Sequence, residues 1–181
     1  QNAINGYLEL INFVDTNYGE NSILKLELLN NLGFEYGALK DNKNALKYYL
    51  SSLKLAKKFN QERNIVTSTM NVGDIYFWTG DYKKSNEYYK QALEIIEFSP
   101  QKTQIYLYAG LSKTETILGN YDQALTYGNI GLKIAKNFHG INHPSNLQLL
   151  DSLALVNSYK KNYDKKFQNL TDIYNIIDDY S

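Results

Sequence analysis

The chain has 181 residues, 43% of them apolar, enough to bury a sizeable core in one domain. Nineteen Lys and Arg balance nineteen Asp and Glu; a net charge of zero argues against the basic face of a nucleic-acid module and against attraction to an anionic membrane. With no cysteine there is no disulfide, no thiolate metal site and no thiol chemistry, and no run of 18 apolar residues marks a membrane span.

Helical periodicity starts at once. Residues 1–16 read as a first helix and 22–39 as a second. Asp41 follows as an N-cap, and 42–58 reads as a third helix with Ala45, Tyr48, Tyr49, Ser52, Leu53 and Ala56 on one face. A fourth, 62–79, stops at Gly80, a residue that takes the left-handed C′ conformation at little cost. Asp81 caps a fifth, 82–97, where Ser85, Tyr88, Tyr89, Ala92, Leu93 and Ile96 repeat the same steps. Residues 101–118 stop at Gly119, Asn120 caps 121–138, and 144–161 and 163–179 complete nine predicted helices. The first residue is Gln1, not Met, and the pattern opens on half a pair, so the chain is expected to be a segment of a longer protein.

The pattern repeats. Leu32-Gly33 with Tyr36 matches Val72-Gly73 with Tyr76, and Gly80-Asp81-Tyr82 matches Gly119-Asn120-Tyr121 and Lys161-Asn162-Tyr163. Ala3, Ala45, Ser85, Ala124 and Lys166 stand at equivalent places, 42, 40, 39 and 42 residues apart. A period near 40 without strand signals predicts stacked helix pairs. These residues resemble the tetratricopeptide repeat: apolar-Gly-x-x-Tyr on a first helix, Gly-x-Tyr at the turn, then Ala, an aromatic and Ala-Leu. The third copy departs at Glu115 and the fourth at Asn157 and Lys166. The junctions YGENSI (18–23) and HGINHP (139–144) look like those of kinesin light chains and bacterial repeat proteins joined to signalling or protease domains. The middle junction looks more like bacterial peptide-receptor regulators.

The resemblance implies an all-α, right-handed superhelical solenoid of antiparallel helix pairs: a half repeat 1–21, then repeats of about 22–61, 62–100, 101–143 and 144–181. It further implies a concave groove lined by the first helices. Carried over by register, the groove residues are Glu27, Asn30, Asn31 and Phe34; Thr67, Met70, Asn71, Asp74, Phe77 and Trp78; Tyr106, Ala109, Lys113 and Thr116; and Gln148, Asp151 and Leu155. Tyr76, Phe77 and Trp78 cannot all enter one side of a helix, so at least one faces the groove or its rim. Asn31 and Asn71 share a register position; their amides either hold a ligand's main chain or bond between adjacent repeats. Lys113 is the one cation among these positions, so a carboxylate-clamping groove is not expected, and a neutral to slightly basic, partly apolar ligand is favoured.

No catalytic motif stands out. His139 and His143 flank a Gly-Pro junction without a third ligand, and Lys160, Lys161, Lys165 and Lys166 read as a solvated face. The expectation is a noncatalytic, cytoplasmic protein- or peptide-binding scaffold with no cofactor, no metal, no nucleic acid and no membrane. Two other readings stand beside it: a receptor domain that switches an attached protease, kinase or DNA-binding domain, and a self-associating adaptor.

Overall fold

The apolar positions that recur every three or four residues fold as helices in the predicted order. The computed structural model describes residues 2–140 and 143–179. Helices α1 (Asn2–Tyr18), α2 (Lys25–Ala38), α3 (Asn42–Lys58), α4 (Glu62–Trp78) and α5 (Tyr82–Leu93), with a 3-10 turn at Ile96–Phe98, form one compact unit ending at Phe98. Helices α6 (Gln101–Ile117) and α7 (Tyr121–His139), a 3-10 turn at Pro144–Asn146, and helices α8 (Leu147–Tyr159) and α9 (Tyr163–Asp179) form a second, beginning at Ser99.

Three boundaries differ from the sequence reading by three residues or more. Helix α2 starts at Lys25 rather than 22, because residues 19–26 take successive turns in which the Ser22 hydroxyl accepts from the Leu24 amide and so competes with the helix. Helix α5 stops at Leu93, where the Ile95 amide bonds the Ala92 carbonyl in a tighter turn. The Pro144 segment forms a 3-10 turn before α8.

One turn geometry closes α2, α3, α4, α6 and α8. The Asp41 amide bonds to the Tyr36 carbonyl and the Lys40 amide to the Gly37 carbonyl; Asp81–Tyr76 with Gly80–Phe77, Asn120–Glu115 with Gly119–Thr116, and Asn162–Asn157 with Lys161–Ser158 repeat this Schellman pairing. On α3 the Gln61 amide bonds to the Ala56 carbonyl and the Asn60 amide, from a residue at φ +51°, to the Lys57 carbonyl. Gly80 and Gly119 supply its left-handed residue at φ +84°, as expected. Lys40 and Lys161 occupy the same place at φ +60° and +57°, a conformation that costs a side-chain-bearing residue about 1–2 kcal/mol. The Asp41 and Asp81 side chains then cap the next helix by accepting from the Asn44 and Lys84 amides. Asn120 stands at the equivalent position but makes no cap bond. Its Nδ2 donates instead to Oε2 of Glu115, the buried residue that stands where the α2–α3 and α4–α5 hairpins carry Tyr36 and Tyr76.

The core is built from size complementarity between facing helices. In the first unit Tyr49 lies over Gly33 and Tyr89 over Gly73; a Cβ on either glycine would stand 2.7 or 2.8 Å from the ring. In the hairpin of α6 and α7 the bulk is exchanged. Ser112 takes the glycine position and Gly128 the tyrosine position, and Leu153 from α8 enters the space, its Cδ2 2.7 Å from where a Gly128 Cβ would sit. Stacked tyrosine pairs, Tyr36–Tyr48 and Tyr76–Tyr88 at ring separations of 5.4 and 5.5 Å, fill the remaining gaps. A hydroxyl chain ties three helices together: Ser68 donates to Ser52, which donates to the Leu26 carbonyl.

Helix α9 buries Ile176 and leaves Tyr163, Phe167, Leu170, Tyr174 and Ile177 exposed at steps of four and three. The same register positions on α3 include the buried Tyr49, Leu53 and Ala56. Tyr174→Ala is therefore expected to change stability by less than about 0.5 kcal/mol in a denaturant titration, since its side chain has little surface to lose. A loss above about 2 kcal/mol would mean that this stripe is covered.

Candidate functional site

In the first unit, α2 and α4 bring one face of each helix side by side. At about 100° per residue, Glu27, Asn30, Asn31 and Phe34 share a face of α2, and Asn64, Thr67, Asn71, Asp74 and Trp78 share a face of α4. Glu27, Asn30, Asn31, Arg63, Asn64 and Thr67 line a polar cleft of about 370 Å³. Arg63 and Asn64 were missed in the sequence; they continue the α4 stripe one turn toward its start.

Asn71 donates from Nδ2 to Asn30 Oδ1 at 2.8 Å, a bond between consecutive first helices. The sequence pairs Asn71 with Asn31 by register, but register marks residues that point the same way, not residues that meet. Asn31 is exposed. Phe34 and Trp78 are about two-thirds exposed, and the Trp78 ring edge leans over Gly37, its Cζ3 3.9 Å from the place a Cβ would take there. Phe77 is half-buried against Tyr82, with rings 5.4 Å apart, and Tyr76 stacks on Tyr88. Of these three neighbours, Trp78 is the one at the rim.

Asp74 is half-buried and accepts from the Tyr89 hydroxyl at 2.5 Å. Burial pushes its carboxyl up to about 6, while the Tyr89 hydrogen bond pulls the other way. Burial and the Asp74 charge also hold the Tyr49 and Tyr89 hydroxyls well above the usual tyrosine range.

Three expected groove positions are packing residues. Met70 is buried, because it lies four residues after Val66 and three before Gly73 on the face of α4 that enters the core. Ala109 and Thr116 are buried on α6: Ala109 joins the cluster with Ile105, Ala135 and Leu149, and the Thr116 hydroxyl turns back to the Ser112 carbonyl.

The second unit carries its own group. Tyr106 is exposed on α6, and Lys113 of α6 reaches Asp151 of α8 at 3.7 Å. Gln148 is exposed beside Asp151 on α8, and Leu155 is half-buried. Of the C-terminal lysines, Lys160 pairs with Asp122 at 2.5 Å and Lys166 donates to the Ser158 hydroxyl at 3.3 Å. The His139 and His143 rings stack at 4.1 Å, nearly parallel. Among the described residues no group of three or more His, Cys, Asp or Glu is placed to hold a metal ion, and no helix is long and apolar enough to cross a membrane.

Antiparallel hairpins with a common turn and a Gly-against-Tyr contact define a helical-repeat protein. Tetratricopeptide repeat models match residues 26–59 and 64–129, together more than half of the chain, which belongs to the tetratricopeptide repeat family. A stretch of 109 residues, 60% of the chain, is 32% identical to Response regulator aspartate phosphatase I of Bacillus subtilis (strain 168), and spans 28% of that protein. The matched stretch thus spans under a third of the length of this relative. Among solved structures, the apo form of RapI has a TM-score of 0.82 at 17% identity, over 97% of this chain and 48% of that one. The repeats of a putative kinesin light chain of Podosopora anserina score 0.78 at 14% identity, over 100% and 88%. A Rap protein complexed with Competence and Sporulation Factor scores 0.65 at 18%, over 97% and 58%. These likenesses place the chain among all-α superhelical solenoids of antiparallel helix pairs.

Proposed function

We propose that the chain is a noncatalytic binding module whose first-helix faces hold a segment of a protein partner, within a larger regulatory protein. The observation that carries this is the face of α2 and α4: exposed Phe34 and Trp78 at one end, a polar cleft at the other, and Asn31, Asn71 and Asp74 along it. Amides on such a face can donate to and accept from a peptide main chain, and a Trp at the rim is a favoured anchor. Among the described residues Asp74 meets no cation, so a basic group on the ligand would find a carboxylate there. The names of its relatives support a regulatory setting: one is a response regulator aspartate phosphatase, and one fold neighbour is complexed with Competence and Sporulation Factor. A cytoplasmic location and an attached effector switched by ligand belong to the same proposal.

The test is selection of dodecapeptides from a displayed random library, followed by titration of the best peptide. Trp78→Ala and Asn31→Ala are each expected to weaken binding at least tenfold, about 1.4 kcal/mol, with unchanged circular dichroism. Native affinity in both folded variants would remove these residues from the site. For a switch, small-angle scattering would change on adding the selected peptide; a rigid scaffold would give superimposable curves.

A further inference from the structure

A second concavity lies on the opposite flank of α2. Lys25 and Leu29 are four residues apart, turned away from Glu27 and Asn31 by roughly half a helix circumference. With Glu20, Asn21, Ser51, Lys54, Leu55 and Lys58 they enclose a cleft of about 440 Å³, a size common for small-ligand sites. Leu29 and Leu55 are buried members of the cluster with Leu26 and Ala56, and they give the cleft an apolar floor.

Its charge is uneven. The Lys25 side chain is only 12% exposed, and its ammonium donates to Asp15 Oδ1 at 2.5 Å and to the Glu20 carbonyl at 3.1 Å. An ammonium has three N–H groups, so one donor remains beside the cleft. Asp15 balances the charge of Lys25. Among the described residues Lys54 and Lys58, one turn apart on α3, stand in no ion pair, Lys58 lying 5.8 Å from the Phe59 ring centre, and Glu20 is the single acid of the lining. One positive charge is left over above an apolar floor.

We infer that this cleft is a second binding site, separate from the α2–α4 face, for an organic monoanion that carries an apolar group. The apolar part covers Leu29 and Leu55, and the anionic end takes the free donors of Lys25, Lys54 and Lys58. Neither half suffices: the floor is too small to bind an alkyl chain strongly alone, and exposed lysines bind a small anion weakly in salt.

The experiment titrates the chain with octanoate, acetate and 1-octanol while following the Leu29 and Leu55 methyl signals by NMR. Octanoate is expected to shift both at submillimolar concentration, with acetate and octanol at least tenfold weaker. The double variant Lys54→Ala/Lys58→Ala, changed only at exposed positions, is expected to keep its melting temperature and bind octanoate at least tenfold more weakly. Trp78→Ala is expected to bind it as the parent does. Octanol or acetate binding as tightly as octanoate, undiminished binding by the lysine variant, or loss of binding in Trp78→Ala would each overturn the assignment.

Discussion

Leu149→Ala is expected to destabilise the protein by about 2–5 kcal/mol, measured by chemical denaturation, and Gly131→Ala in the same molecule is expected to restore part of that loss. Leu149 is fully buried, and its Cδ2 lies 2.6 Å from the position of a Cβ on Gly131; Tyr108 Cβ crowds that position from the other side at 2.8 Å. Gly131→Ala alone must displace two packed side chains, which costs about 1–3 kcal/mol and outweighs the gain of about 1 kcal/mol from replacing glycine in a helix. Where Leu149 has been cut back, the new methyl enters the space. The two changes are thus expected to couple by about 0.5–3 kcal/mol, the double variant being more stable than their sum predicts. Strict additivity would show that α7 and α8 do not meet at these residues.

Asp74→Asn is expected to stabilise the protein at pH 7.5 by on the order of 2–3 kcal/mol and to leave it nearly unchanged at pH 3.5. Burial raises the Asp74 carboxyl from 3.8 to about 6. Between those values the folded chain holds a proton that the unfolded chain has released, so this residue's contribution to stability falls as pH rises through the window and stays low above it. Asparagine carries no charge to desolvate, and its Oδ1 still accepts from the Tyr89 hydroxyl. Comparison with the parent at each pH isolates the effect, because Asp41 and Asp81 act in the opposite sense: bonds from Asn44 and Lys84 hold their carboxyls below the usual range. A variant no more stable than the parent at pH 7.5 would mean that water reaches Asp74 freely.

The repeat was legible because its steric devices are local. Gly33 and Gly73 in phase with Tyr36 and Tyr76, and Gly80 and Gly119 at turns, announce close approaches and left-handed residues that few side chains permit. The same register named residues that share the α2 and α4 faces, but also Met70, which enters the core a 100° step away, and Phe77, which packs on Tyr82. Three things were not legible. Asn71 meets Asn30 rather than Asn31 because stacked helices are offset, and a one-dimensional period carries no offset. Asn120 abandons its cap for Glu115 because a carboxylate buried in place of tyrosine takes the nearest donor. The lysine cleft is assembled from the α1–α2 junction, α2 and α3, none of which shows a motif alone.

The exchange of bulk between Gly33–Tyr49 or Gly73–Tyr89 and Ser112–Gly128 limits how these hairpins can be shuffled. A cassette cut at the turns would import α7 with a hollow at Gly128 that Leu153 of the following helix is shaped to plug. Grafted ahead of another neighbour, it would carry an unfilled void; a tyrosine-bearing helix grafted ahead of α8 would collide with Leu153. At this junction α6, α7 and α8 therefore form one cassette, and a designer who lengthens the array must not cut between α7 and α8.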